Sequence, residues 1–189
     1  MIWKNTQGTY GSVTKTLHWL IALLVIGMLI FGFVLGNMPN SPMKGTLIDL
    51  HKSVGLTILL LMIIRLCWRF INLQPMLPIT VPLWEQIAAR TVHVFLYILL
   101  FAMPLSGWVM SSLGGHPVIF WSWLNVTLPF TQNKALADYF FDAHTTFAWI
   151  IIALLVLHVG AALKHHFLEK NNVLKRMLPG YKSPNIFGE

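Results

Sequence analysis

Four long runs of apolar residues, separated by short polar segments, dominate the pattern along the 189-residue chain. The runs cover about residues 17–36, 50–70, 86–111 and 138–166. Each run has the length of roughly 20 residues that an α-helix needs to cross the hydrocarbon core of a bilayer. The pattern predicts an all-α fold, a transmembrane four-helix bundle that forms a single domain over residues 1–189.

The segments between the runs contain residues that interrupt helices. A polar turn at 37–46 contains two prolines, and the connector at 72–82 contains three. The longest connector, 112–137, is rich in tryptophan and phenylalanine, side chains that favour the interface between lipid and water. We expect short links between the helices and one aromatic loop that lies on the membrane surface.

Composition agrees with a membrane protein, because 56% of the residues are hydrophobic and only 10% are charged. The net charge of +7 comes from cations at the ends of the apolar runs, so it does not indicate nucleic-acid binding. Most of these cations fall on one side of the predicted spans, which predicts that both termini are cytoplasmic. That side carries Lys4, Lys15, Arg65, Arg69, Arg90, Lys164, Lys170, Lys175, Arg176 and Lys182, against Lys44, Lys52 and Lys134 on the other.

Histidines recur at matching depths in the apolar runs. His144 and His158 are fourteen residues apart, close to four helical turns, so both rings are expected on one face of a helix about 21 Å apart. His18 and His51 occupy corresponding depths in the first two runs. A titratable ring inside a bilayer costs free energy without a partner, and haem iron suits pairs of histidines. The spacing therefore predicts two b-type haems, with these histidines as iron ligands.

The predicted orientation assigns the histidines to an outer and an inner site. His51 and His144 form the outer pair, whereas His18, His93 and His158 compete for two ligand positions at the inner depth. Depth alone leaves open which of the three is not a ligand. Zinc fits less well, since histidine pairs without carboxylate or thiolate neighbours leave its four-coordinate shell unfilled.

Polar residues near the two predicted haems are candidates for further contacts. Haem propionates need cations, which Lys52 could supply at the outer site and Arg65 or Arg69 at the inner one. His93 lies near the inner haem, where a quinone contact is one role open to it. A structural hydrogen bond is the alternative role for His93.

Several motifs carry a resemblance to the bacterial cytochrome b561 family, which is similar to the b-type subunits of formate dehydrogenase and nickel-iron hydrogenase. They are 17–20 (LHWL), 50–55 (LHKSVG), 92–93 (VH), 96–100 (LYILL), 101–107 (FAMPLSG), His144, His158, 162–167 (ALKHHF) and 174–177 (LKRM). The resemblance covers nearly the whole chain. It implies a multi-pass protein of the bacterial inner membrane with two haem b groups, held by His18 with His158 and by His51 with His144.

The resemblance also implies electron transfer across the membrane between an outer donor and ubiquinone near the inner haem. Reduction of a quinone needs proton carriers and polar contacts, for which His93 and Lys164 are then candidates. Some members of the family resemble superoxide oxidases, so we expect an oxidoreductase of the respiratory chain that takes electrons from periplasmic superoxide. The alternative is an electron conduit and anchor subunit that serves a separate periplasmic redox protein. A haem-free transporter would leave the paired histidines unexplained and would need more polar residues in its spans.

Overall fold

The computed structural model describes residues 3–76 and 81–181, and its main elements are four long helices. They are α1 (Ser12–Asn37), α2 (Pro42–Phe70), α3 (Leu83–Leu113) and α4 (Lys134–Phe167). All four are long and apolar enough to cross a membrane. Large apolar side chains such as Leu23 remain exposed along them, as is expected where lipid is the surrounding solvent. The all-α prediction is confirmed.

The helices extend beyond the apolar runs because polar residues cap their ends. Helix α2 begins at Pro42 and not near residue 50, with the Ser41 hydroxyl accepting a hydrogen bond from Lys44 N at 3.2 Å. Proline is well tolerated in the first turn, where its missing N–H has no helical partner to lose. Helix α4 likewise begins at Lys134, where Asn133 Oδ1 accepts from Leu136 N at 3.0 Å. The turn expected at 37–46 is therefore shorter than predicted.

The connector between α3 and α4 contains a small antiparallel hairpin of two strands, β1 (Ile119–Phe120) and β2 (Leu124–Asn125). Its turn places Trp121 and Ser122 at φ angles of 47° and 66°, in the left-handed region that usually favours glycine or asparagine. Hydrogen bonds from Trp121 N to Ser53 Oγ, at 3.1 Å, and from Trp121 Nε1 to Thr57 Oγ1, at 3.2 Å, tie this turn to α2.

The described chain divides into two compact units, and each contains part of all four helices. The first unit consists of the described residues of Met1–Leu20, Ile63–Phe95 and Ala153–Glu189. The second consists of Ile21–Met62 and Leu96–Ile152. The single domain expected from the sequence stays a prediction.

Within the first unit, polar side chains hold the two terminal segments against the helices. Asn5 donates from Nδ2 to Leu73 O at 2.7 Å and accepts from Gly11 N at 2.9 Å. The indole of Trp19 donates to Met177 O at 2.9 Å, in a 3₁₀ turn at Lys175–Met177. Lys182, counted above for the orientation, and residues 77–80 of the second connector lie outside the described residues.

Within the second unit, the connector packs on α2 and α3. Leu56 and Leu59 form a small buried cluster with Val118, whose side chain is 1% exposed. Trp108 Nε1 donates to Val126 O at 2.8 Å, which fixes the return of the connector on α3. These contacts place the connector beside the histidines of α2 and α4 described next.

Candidate cofactor sites

The first unit brings together the three histidines that the sequence placed at one depth. His18 lies on α1, His93 on α3 and His158 on α4. The ring centroids of His18 and His158 are 6.1 Å apart, whereas those of His93 and His158 are 5.2 Å apart. Three helices thus supply three imidazoles to one cluster.

Of the two predicted inner cations, Arg65 contacts this cluster directly. Its Nη2 lies 3.0 Å from Nδ1 of His18, and because a guanidinium only donates, the histidine nitrogen accepts. Arg69 donates to Gln74 Oε1 at 3.2 Å, near the end of α2, and its charge lies within electrostatic range of His93. Arg65 is therefore the better placed of the two for a haem carboxylate in this unit.

The second unit brings together the other two histidines, His51 on α2 and His144 on α4. Their ring centroids are 6.3 Å apart. Both rings line a cavity of about 110 Å³. The remaining walls are mostly apolar, with Gly55 on α2 and Gly107 on α3 among the small residues.

The ring of His144 packs closely against α3. Its Nδ1 is 2.9 Å from the carbonyl oxygen of Met103 and 3.1 Å from Oγ of Ser106. A Cβ atom at Gly107 would lie only 3.1 Å from Cε1 of the ring. The ring therefore packs against bare backbone, and glycine is the residue that leaves room for it.

His51 is held differently. Its Nδ1 is buried without a hydrogen-bond partner among the described residues. The ring contacts Phe31 at a centroid distance of 5.8 Å, and a Cβ at Gly32 would lie 3.6 Å from Cε1. Packing alone orients this imidazole.

Lys52, the predicted outer propionate contact, lines the same cavity with a side chain that is only 13% exposed. Its ammonium group is 3.1 Å from Asp49 Oδ1 and donates to Pro117 O at 3.0 Å. The lysine is thus at the cavity but already engaged by two oxygen acceptors.

Lys164, a predicted quinone contact, is part of a polar ring in the first unit that the sequence did not reveal. Its Nζ lies 2.6 Å from Glu85 Oε1 and 2.7 Å from Glu169 Oε1. His165 closes the ring, with Nδ1 2.6 Å from Glu169 Oε2 and Nε2 3.8 Å from Glu85 Oε2. Hydrogen bonds from Lys164, and then from His165, hold the pKa of Glu169 below its ordinary value.

The distances within the histidine pairs test whether a haem fits. Two imidazoles bound at about 2.0 Å to opposite sides of one metal ion have ring centroids roughly 6 to 6.5 Å apart. His18 with His158 and His51 with His144 both meet this condition, at 6.1 and 6.3 Å. His93 and His158 are closer than that, at 5.2 Å. The two donor sets therefore fit a planar group that binds one imidazole on each face.

Comparison with known proteins defines the class. A family model for prokaryotic cytochrome b561 matches residues 9–180, and the chain belongs to this family. The expectation from the motifs is thereby confirmed. The protein is a multi-pass membrane protein of electron transport, and its family implies b-type haem.

Three relatives of this chain illustrate the family. Cytochrome b561 homolog 2 of Escherichia coli (strain K12) is 36% identical over 196 aligned positions, which cover both chains completely. Cytochrome b561 homolog 1 of the same organism is 32% identical, covering 88% of this chain and 94% of the relative. A protein of Yersinia pestis named probable superoxide oxidase CybB is 30% identical, covering 90% of this chain and 96% of its own length.

Proposed function

We propose that this chain is a di-haem cytochrome b that transfers electrons across the bacterial inner membrane. In this proposal His18 and His158 bind one haem, and His51 and His144 bind the other. The observation that carries it is the presence of two histidine pairs whose ring separations, 6.1 and 6.3 Å, match axial ligands on opposite sides of a metal. The haems supply one-electron chemistry, while the protein binds them, orients them and excludes water.

The same distances support the assignment of His93 as the histidine that is not an axial ligand. Its ring is 5.2 Å from that of His158, too close for two imidazoles on opposite sides of one metal ion. The pairing of His18 with His158 is also what the family resemblance implies. His93 is then a polar group beside the inner haem, where a quinone head group could accept its hydrogen bond.

For the direction of transfer, we propose superoxide as donor on the periplasmic side and ubiquinone as acceptor near the first unit, with both termini cytoplasmic. The name of the relative from Yersinia pestis, probable superoxide oxidase, supports this donor. Lys44 of the second unit, whose ammonium group donates to the uncharged Met38 carbonyl at 2.7 Å, provides a cation for an anionic substrate. In the first unit, His93 and the ring around Lys164 provide polar groups that can bind a quinone and carry protons to it.

A second candidate is an electron conduit and anchor subunit for a periplasmic redox protein. One observation favours it: Lys52 and Lys134 of the second unit are each paired with an aspartate, at 3.1 and 2.9 Å. These pairs neutralise cations that would otherwise attract a small anion. A protein donor that docks by complementary surface charge would depend less on a positive field around the cavity.

The first experiment is a reduced-minus-oxidised spectrum of the purified protein with pyridine-haemochrome quantitation, repeated with superoxide and a ubiquinone analogue. Two haems per chain, reduced by superoxide and reoxidised by the quinone, are the expected result. Two haems that do not react with superoxide would favour the conduit. A chain that binds no haem would contradict the proposal as a whole.

A further inference from the structure

The hydroxyl of Ser106 on α3, the Met103 carbonyl and Nδ1 of His144 lie within hydrogen-bond distance of one another. The Ser106 side chain is buried, and its Oγ donates to the Met103 carbonyl at 2.7 Å. The same Oγ lies 3.1 Å from His144 Nδ1, which is itself 2.9 Å from the Met103 carbonyl. One hydroxyl and one carbonyl oxygen therefore face a single ring nitrogen.

The chemistry of these atoms assigns the proton on His144. A carbonyl oxygen can only accept, so the bond to Met103 requires hydrogen on Nδ1. The Ser106 hydroxyl donates its own hydrogen bond to the same carbonyl. Its lone pairs therefore face Nδ1 of His144 and accept a second hydrogen bond from Nδ1–H. A neutral imidazole with hydrogen on Nδ1 leaves the lone pair of Nε2 for a metal.

The opposite histidine has no such support. Nδ1 of His51 is buried and lacks a hydrogen-bond partner within the described parts of the chain. A ligand histidine that donates from its second nitrogen to an acceptor is oriented by that bond and gives more electron density to the metal. The two sides of this site are therefore unequal.

We propose that Ser106 is a positioning residue that, together with the Met103 carbonyl, fixes the tautomer of His144 and strengthens its electron donation. This inference rests on the proposed haem ligation by His51 and His144. A stronger donor ligand stabilises ferric over ferrous iron, and hydrogen bonding to the ligand is one of the ways a protein sets the potential of a haem. Ser106 thus lowers the reduction potential of the haem in the second unit.

The test is potentiometric titration of the purified holoprotein, with Ser106→Ala, Ser106→Thr and Ser112→Ala. Ser112 is the matched control, because it is a buried serine on the same helix whose hydroxyl donates to Trp108 O. We expect Ser106→Ala to keep two haems and to shift the reduction equilibrium of one of them towards ferrous by up to about tenfold, since the Met103 carbonyl remains. Ser106→Thr retains a hydroxyl, and we expect it and Ser112→Ala to titrate like the parent protein.

A second measurement needs no substitution at the serine. In the reduced protein, nitrogen NMR of labelled histidine should show a hydrogen-bonded Nδ1–H for His144, with slower deuterium exchange than that of His51. Unchanged potentials in Ser106→Ala, or equal Nδ1–H signals from the two ligands, would overturn the inference while leaving two haems in place. Loss of neither haem in His51→Ala and His144→Ala would instead contradict the proposed function.

Discussion

Arg65 donates a hydrogen bond from Nη2 to Nδ1 of His18 at 3.0 Å. Iron bound at Nε2 of a neutral His18 would place the ring proton on Nδ1, and Arg65 would then need another acceptor. A haem carboxylate is suited to that role because guanidinium and carboxylate groups form strong, directional pairs. The contact therefore places a cation at the point where the proposed inner haem needs one.

We expect Arg65→Gln to weaken retention of one haem by about tenfold, the scale at which residues that support metal ligands act. Arg65→Lys keeps the charge but loses the planar donor pair, so its loss should be smaller. Arg176→Gln is the control, because Arg176 is an arginine of the same unit whose side chain donates to the Met76 carbonyl at 2.7 Å. Haem content after extensive washing in detergent measures the effect. Equal loss of haem in Arg65→Gln and Arg176→Gln would mean that only general surface charge matters.

The two histidine pairs predict which alanine substitutions remove the same haem. His18→Ala and His158→Ala should remove the same haem, whereas His51→Ala and His144→Ala should remove the other. The measurement is haem per chain together with the reduced difference spectrum, which shows which of the two absorption components is lost.

His93→Gln is the discriminating variant for the same experiment, because the proposal leaves His93, whose ring is 5.2 Å from that of His158, without an iron bond. It should retain both haems and lose activity with quinone only. Retention of two haems in His18→Ala with loss of one in His93→Gln would show that the pairing in the first unit is wrong.

Much of this arrangement was predictable because hydrophobic length and helical spacing are local properties. The apolar runs determine four spans, and fourteen residues of helix place His144 and His158 on one face. Depth along the helices could not separate His18, His93 and His158, because all three fall at one level of the bundle. The pairing of His18 with His158 came only from the family resemblance.

Contacts between distant segments were not accessible from the sequence either. Glu85 and Lys164 are 79 residues apart, and no periodic pattern links them. The hairpin turn uses Trp121 and Ser122 at positive φ, where sequence rules expect glycine or asparagine. Ser106 gave one weak signal, a small polar residue between Pro104 and Gly107 in an apolar run.

The ring around Lys164 predicts a pH dependence of stability. Because Lys164 and then His165 lower the pKa of Glu169, folding favours its ionised form. The resulting stabilisation is complete above the ordinary pKa of the carboxyl and is lost as pH falls through the lower folded value. We expect the thermal midpoint in detergent to fall on acidification below the ordinary glutamate range, and Glu169→Gln to reduce that dependence.

The matched control for this prediction is Asp138→Asn. Asp138 forms an exposed i,i+4 pair with Lys134, with side chains 63% and 88% exposed. Such surface pairs contribute little to stability because water and salt screen them. An equal change in the pH dependence of the thermal midpoint in Asp138→Asn and Glu169→Gln would indicate an effect of net charge and not of the ring around Lys164.

Gly107 provides a prediction in which helix propensity and the site act in opposite directions. Alanine stabilises an exposed helix by about 1 kcal/mol relative to glycine. At position 107, however, the new Cβ would lie 3.1 Å from Cε1 and 3.3 Å from Nδ1 of His144. The ring would have to shift by a few tenths of an ångström, which disturbs its contacts with Met103 and Ser106, so we expect Gly107→Ala to hold one haem less tightly and to retain the other.

Gly160→Ala on α4 is the control for that substitution, because a Cβ there meets nothing within 4 Å. It should keep both haems and raise the thermal midpoint slightly, because alanine favours the helix and its Cβ meets no other atom within 4 Å. Haem content and circular dichroism on the two variants separate the effects: Gly107→Ala should lose haem with its helix content unchanged. A Gly107→Ala protein with full haem content would show that the ring of His144 can shift without leaving the iron, and that the close fit on α3 is not needed for ligation.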